Sequence, residues 1–219
     1  MKKLFLALAC ILCTLTASAQ YAGESASFFS AEKADQPVTW GIRGGLNFSK
    51  QTMSADGYSY SPSNHLGYNF GVCVDIPMLQ SLYLQTGLYW TVKGCKMKED
   101  KNEDVTLNPG YLEIPVLASY RYYFSDASHL QVNFGPYFAC GVAGKYKWES
   151  DGETTETDFF GDESGVKRFD AGLAMGAGVT FGQIFVGFNY DLGLANILKD
   201  NNDVSWKNRT FSINVGYNF

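Results

Sequence analysis

The sequence predicts an all-β fold, an eight-stranded antiparallel up-and-down transmembrane β-barrel with short turns at one end and long loops at the other. Three observations lead there. Eight stretches alternate apolar and polar residues with a period of two. The connections between them alternate between short and long. Aromatic residues gather at both ends of the stretches.

The eighth stretch shows the pattern most plainly. Thr210 to Phe219 reads TFSINVGYNF, with Phe211, Ile213, Val215, Tyr217 and Phe219 on one face and Ser212, Asn214, Gly216 and Asn218 on the other. A terminal apolar strand of this kind is expected to close a barrel, with Tyr217 and Phe219 serving as its C-terminal assembly signal. The first stretch, Val38 to Ser49, sets Val38, Trp40, Ile42, Gly44, Leu46 and Phe48 against Thr39, Gly41, Arg43, Gly45, Asn47 and Ser49. Leu66 to Ile76, Leu82 to Lys93, Leu112 to Phe124, Leu130 to Gly141, Arg168 to Phe181 and Ile184 to Leu194 repeat it.

The connections Pro77 to Ser81, Ser125 to His129 and Gly182-Gln183 are short. Those around Lys50 to Asn64, Gly94 to Gly110, Val142 to Lys167 and Ala195 to Arg209 are long. In an outer-membrane barrel the short turns are periplasmic and the long loops extracellular. Pro115 and Pro136 fall at nearly the same height in adjacent strands, where each removes a ladder donor, so a bulge or a local break is expected there.

A soluble barrel would turn its apolar face inward. Volume argues against that. An eight-stranded lumen is just wide enough to be filled by side chains or to hold one small ligand. The many Leu, Phe, Tyr and Trp of the apolar face would overfill it. The Gly, Ala, Ser, Asn and Gln of the other face fit it. Phe48, Trp90, Phe138, Phe169 and Phe211 at the loop ends, and Trp40, Tyr122, Phe124, Phe181 and Phe219 at the turn ends, make two interfacial girdles. The mean hydropathy of −0.13 is compatible with this, because alternating strands cancel in any averaging window.

Residues 1–19 have the form of a secretory signal peptide. Lys2 and Lys3 precede an apolar core from Leu4 to Leu15, and Ala17-Ser18-Ala19 fits the cleavage rule. The apolar run is too short for a spanning helix, which needs roughly 18 or more residues. Residues 20–37 read as a periplasmic tail and 38–219 as the barrel. The net charge of −5 gives no reason to expect nucleic acid. Of the cysteines beyond the leader, Cys73 is expected inward, Cys140 toward lipid and Cys95 in a loop, with no evident disulfide.

The inward charges are Arg43, Lys93, Arg121 and Arg168 against Asp75, Glu113, Asp170 and Asp191. Unpaired charges in a low-dielectric lumen are costly. A paired network of Arg43, Lys93, Glu113, Arg121, Asp170 and Asp191 is therefore expected to fill it. Asp75 and Arg168 fall near strand ends and are expected to be solvated. The functional alternative is an ion path lined by the same groups.

Catalysis has little to build on. A lipid-modifying enzyme needs a serine with a histidine base, and the sequence offers His129 in a turn and His65 near Ser61 and Ser63. No catalytic, metal-binding or cofactor-binding residue is assigned, and no cofactor is expected. The third long loop holds seven acidic residues against three lysines around Phe159 and Phe160. It lacks the spacing of a calcium loop. An exposed Phe159–Phe160 pair would make it a candidate partner loop.

WGIRGGLNFS, YLEIPVLASYRYYF and the closing VGYNF together resemble the PorT-like outer-membrane β-barrel family. The resemblance spans Val38 to Phe219, and the second phrase is its most specific part. It implies an eight-stranded barrel in the outer membrane of a Gram-negative bacterium. The family's namesake takes part in protein secretion, and no site residues carry over. The expected function is a structural or interaction barrel, an accessory of a secretion or envelope complex. A small-solute or ion transporter is the alternative, and a lipid-modifying enzyme a distant third. The expected partners are outer-membrane lipids and lipopolysaccharide, the barrel-assembly machinery through the C-terminal strand, and an envelope or secretion protein.

Overall fold

A computed structural model describes residues 36–55, 58–60, 63–100, 103–150, 153–161, 164–199 and 204–219. The expected signal peptide and nearly all of the expected N-terminal tail lie outside the described residues. So do Ser61 and the side chain of Ser63.

The strands are β1 (Thr39–Ala55), β2 (Tyr58–Tyr60), β3 (Ser63–Pro77), β4 (Leu82–Val92), β5 (Cys95–Asp100), β6 (Glu103–Ser125), β7 (Ser128–Ser150), β8 (Glu153–Asp158), β9 (Phe169–Phe181), β10 (Ile184–Gly193) and β11 (Val204–Asn218). Eight of them form a closed antiparallel ring, in the order β1-β11-β10-β9-β7-β6-β4-β3 with β3 returning to β1. The seam joins the first and last strands over a long register, from Gly41 opposite Asn218 to Ala55 opposite Val204. Closure leaves no exposed edge in the ring. β5 continues β4 in the wall between β3 and β6, while β2 and β8 each pair with one ring strand, and all three extend the long-loop end.

The apolar face is outside. Trp40, Ile42, Leu46, Phe70, Phe134, Phe188 and Val215 are exposed, while Asn47, Gln131, Asn133 and Asp170 on the opposite face are buried. This inversion of soluble-protein burial is what a lipid solvent requires. Trp40 stacks on Phe219 with centroids 4.3 Å apart, and Phe124 meets Phe181 edge-on at 5.9 Å. Phe211 lies between Phe48 at 6.4 Å and Phe188 at 6.3 Å. The turn between β9 and β10 has only two residues, and Gly182 supplies the positive φ (59°) that it needs.

The loop reading of the long connections, and with it that of Cys95, is corrected. The long connections are not mainly loop. β6 and β7 each run for 23 residues, well beyond the 9–11 or so of one crossing, and β5 and β8 pair with them. Cys95 therefore opens β5, fully buried, and is not in a loop. At the prolines the structure shows the local break, one of the two expected outcomes, with no bulge between Pro115 and Ala118. Pro115 pairs with Tyr137 and Ala118 with Phe134 in one unchanged register, and the two pairs between them are missing. The β4–β6 ladder likewise skips from Thr86 opposite Val116 to Tyr89 opposite Glu113. The Thr86 hydroxyl donates to the Pro115 carbonyl at 2.7 Å, giving that acceptor a partner. The register shifts instead near the two ends of this ladder, between Tyr123 and Ser125 and, at the loop end, where Gly110 faces Ala143 and Tyr111 faces Gly141, leaving Val142 as the extra residue.

The β7–β8 hairpin is held by charge. Glu156 accepts from both Lys145 and Lys147, the latter at 2.7 Å. These two contacts hold its carboxyl down to about 2. Because the folded value is depressed below the ordinary 4.5, the contribution is present above that value and lost as pH falls through about 2. Amide protection along β8 is expected to decline over that window, and Glu156→Gln to abolish the pH dependence. Hydrogen exchange measured across the window tests this, and an unchanged profile in the variant would refute it.

Candidate functional site: the lumen and its cap

Inward alternation on eight strands brings polar side chains from distant parts of the chain to common heights. They settle into two layers. Nearer the turn end, Arg121 meets Asp75 at 2.5 Å and lies 4.0 Å over the Tyr83 ring. Gln85 donates to Asp75 at 2.6 Å and accepts from Arg43 at 3.1 Å and from Asn133 at 3.2 Å. Gln131 donates to Asn133 at 3.3 Å. The Arg43 guanidinium also sits 4.0 Å over Phe185.

Nearer the loop end, Lys93 reaches Glu113 at 2.5 Å and Asp170 at 3.6 Å, with the Tyr137 ring 4.2 Å away. Asp170 accepts from Asn208 at 3.0 Å and from the Tyr137 hydroxyl at 3.3 Å. Gln51 donates to Asn208 at 3.1 Å and accepts from the Cys95 thiol at 3.1 Å. Asp191 is buried beside this group and acts on Lys93 electrostatically.

Between the layers lies a polar cavity of about 40 Å³ lined by Arg43, Asn69, Glu113, Asn189 and Asp191, among others. That is room for a few waters and for no solute of metabolite size.

All six residues of the expected network, Arg43, Lys93, Glu113, Arg121, Asp170 and Asp191, are thus in the lumen and buried. Asp75 is corrected. It is not solvated but buried at 3% exposure, because the Arg121 fork reaches down to it. Arg168 precedes β9 and is exposed at the rim, donating to the carbonyls of Gly141 at 3.2 Å and Phe160 at 3.1 Å. His65 and His129 are apart. His129 lies against the Tyr123 ring at the turn end, and His65 lies at the loop-end stretch of β3 opposite Ser49.

The Phe159–Phe160 pair is the clearest correction. It is not exposed. Both rings are buried, at 3% and 6% exposure, and they pack edge-on at 4.9 Å. Phe160 also meets Tyr111 edge-on at 5.5 Å, and Phe159 meets Trp206 at 6.1 Å. They belong to an apolar cluster with Cys95, Val105, Leu107, Val166 and Ile197 that roofs the upper charged layer. Sequence reading missed this cap because its members come from five separate segments. Backbone bonds tie the cap down. Lys167 donates to Ile197 at 2.6 Å, Lys199 to Gly165 at 2.7 Å, and Ile197 to Trp206 at 3.0 Å. Among the described residues no group of His, Cys, Asp and Glu could hold a metal ion.

A ring of eight strands with an apolar exterior and a polar, charged interior points to one class of protein, and comparison settles which. Residues 19–199 match the family described as outer membrane protein beta-barrel domain. The chain belongs to that family. It is an outer-membrane β-barrel protein, and the match ends before β11, the strand that closes the ring. Among curated proteins none matches this outer-membrane barrel. Among solved structures it is similar to Ail, the attachment invasion locus protein of Yersinia pestis (19% identity, 84% of this chain, all of that chain, TM-score 0.43). It is also similar to OprG from Pseudomonas aeruginosa (13%, 86% and 97%, TM-score 0.46). Neisserial surface protein A is a third (12%, 84% and 100%, TM-score 0.41).

Proposed function

We propose that this outer-membrane barrel is a PorT-like protein of structural and interaction type, an accessory of a secretion or envelope complex that conducts nothing through its lumen. It is exported to the outer membrane of a Gram-negative bacterium by a cleaved signal peptide, and the assembly machinery receives it through Tyr217 and Phe219. One observation carries the reading. The lumen is occupied by two polar layers that leave only about 40 Å³ between them, and an apolar cap lies above. The lumen charge network acts as a structural plug, its charges held by partners or aromatic faces, with Asp191 facing Lys93 electrostatically. Function then falls to surfaces, above all the β6–β7–β8 extension that stands beyond the membrane.

Planar-bilayer recordings separate this from the transport alternative. Purified folded protein is expected to show no channel steps. Reproducible conductance that vanishes on heat unfolding would overturn the plug. Cross-linking in whole cells, with and without residues 145–158, tests the interaction role. The loop deletion is expected to lose a specific envelope partner while the barrel still folds.

A further inference from the structure

The outer surface carries a cationic notch that the plugged lumen does not explain. On β1 the outward residues from Trp40 to Phe48 span about one membrane crossing, and on β11 Phe211 to Phe219 do the same. The next outward residue is Lys50 on β1 and Arg209 on β11, and the two are direct cross-strand partners. Like charges placed directly opposite destabilise a sheet. Lys207 adds a third cation on the same face, opposite Thr52.

Among the described residues of these strands no carboxylate offsets them. β1 and β11 contain no Asp or Glu, and Asp191, the one acid of β10, is buried in the lumen. Among the described residues Lys50, Lys207 and Arg209 form no ion pair. The Arg209 Nε is buried with no hydrogen-bond partner among the described residues. Lys50 and Arg209 share their notch with Phe48, Tyr190, Phe211 and Ile213. Cations therefore stand at the headgroup level directly above an apolar and aromatic floor at acyl-chain level.

We propose that this notch seats a phosphorylated lipid of the surrounding leaflet, with its phosphate held between Lys50 and Arg209 and an acyl chain against Phe211 and Ile213. An anion between the two side chains turns their repulsion into attraction and satisfies the orphaned Nε–H. The guanidinium fork matches two phosphate oxygens at once. The amphiphile's own division into charged head and apolar tail matches the division of the notch. The proposal rests on the membrane-spanning reading and gives the lipid-facing surface a specific occupant.

The test uses the full mature barrel in nanodiscs of phosphatidylcholine, whose one phosphate is neutralised by its own choline, with and without a small fraction of lipid A, whose phosphomonoesters carry net negative charge. Retained lipid is measured by native mass spectrometry, alongside thermal unfolding. The wild type is expected to retain lipid A and to unfold at a higher temperature in its presence. The double variant K50Q/R209Q is expected to retain it about tenfold less or weaker still, as for loss of hydrogen bonds to a charged group. Without that lipid, the variant unfolds at the same temperature as the wild type or higher, because repulsion has been removed. K145Q/K147Q, on a different part of the ring, leaves retention unchanged.

Equal retention by wild type and K50Q/R209Q would overturn the site, as would equal retention of lipid A stripped of its phosphates. Displacement of the lipid by inorganic phosphate, with matching stabilisation, would assign a free-anion site instead. Failure of the wild type to insert into nanodiscs is a separate result, which would overturn the membrane reading itself.

Discussion

Replacing Lys93 with Met is expected to cost the barrel about 3–5 kcal/mol, the usual penalty for removing one partner of a buried ion pair. The cause is the uneven charge of the upper layer. Lys93 is its one cation, 1% exposed, against Glu113, Asp170 and Asp191. Take the ammonium away and three carboxylates share a small closed space with nothing but amides and phenols as donors. The fold must then admit water, bind protons or open. A urea titration followed by tryptophan fluorescence, with heat-dependent gel mobility beside it, reads the loss directly. Lys93→Met with Glu113→Leu removes one charge of each sign and is expected to recover part of it, since a buried pair replaced by apolar groups can be nearly neutral. A Lys93→Met midpoint within about 0.5 kcal/mol of wild type, the range of ordinary surface changes, would show that the layer is already hydrated and that the plug is not electrostatically tight.

The layer's members could be named from the sequence because a period of two is unforgiving. Once Phe211, Ile213 and Val215 are assigned to lipid, Ser212 and Asn214 have nowhere to go but inward. The same logic placed Arg43, Lys93, Glu113 and Asp170 in the lumen from alternation alone. It could not pair them, because pairing depends on relative heights around the ring. Asp75 looked like a solvated strand end until the reach of Arg121 was known.

Above the aromatic girdle the signal fails for a physical reason. Beyond the membrane both faces of a strand meet water or other protein, so Lys145 and Lys147 face out where apolar residues would face out lower down. The extra residue Val142 then reverses the alternation within a single strand. β5, β8 and the upper parts of β6 and β7 were therefore legible only as loop. The Phe159–Phe160 pair looked exposed because the surfaces that bury it, on Tyr111 and Trp206, lie far away in the chain.

That cap gives the second large effect. Phe160→Ala is expected to cost about 3–5 kcal/mol locally, as for a buried Phe truncation, and to release residues 159–161 and 164–168 while the ring below stays closed. Phe160 is wedged between Tyr111 and Phe159 and passes so close over Gly141 that a Cβ there would lie 2.1 Å from its Cζ. Gly141→Val is therefore expected to eject the ring without altering it, and the two variants should behave alike. Cys95 is a built-in reporter. It is fully buried within the same cluster, so a water-soluble maleimide applied to intact outer membranes should leave it unlabelled in the wild type and label it in either variant, as read by peptide mass spectrometry. Cys73, deeper in the lumen opposite Gly41, should stay protected in all three, because the polar layers and not the cap shield it. Labelling of Cys73 together with Cys95 would mean that the cap holds the ring itself together. Protection of Cys95 in both variants would mean that β5 and β6 seal the upper lumen without Phe160. Only labelling of Cys95 alone fits a lid built as a separate unit on top of a barrel that is plugged from within.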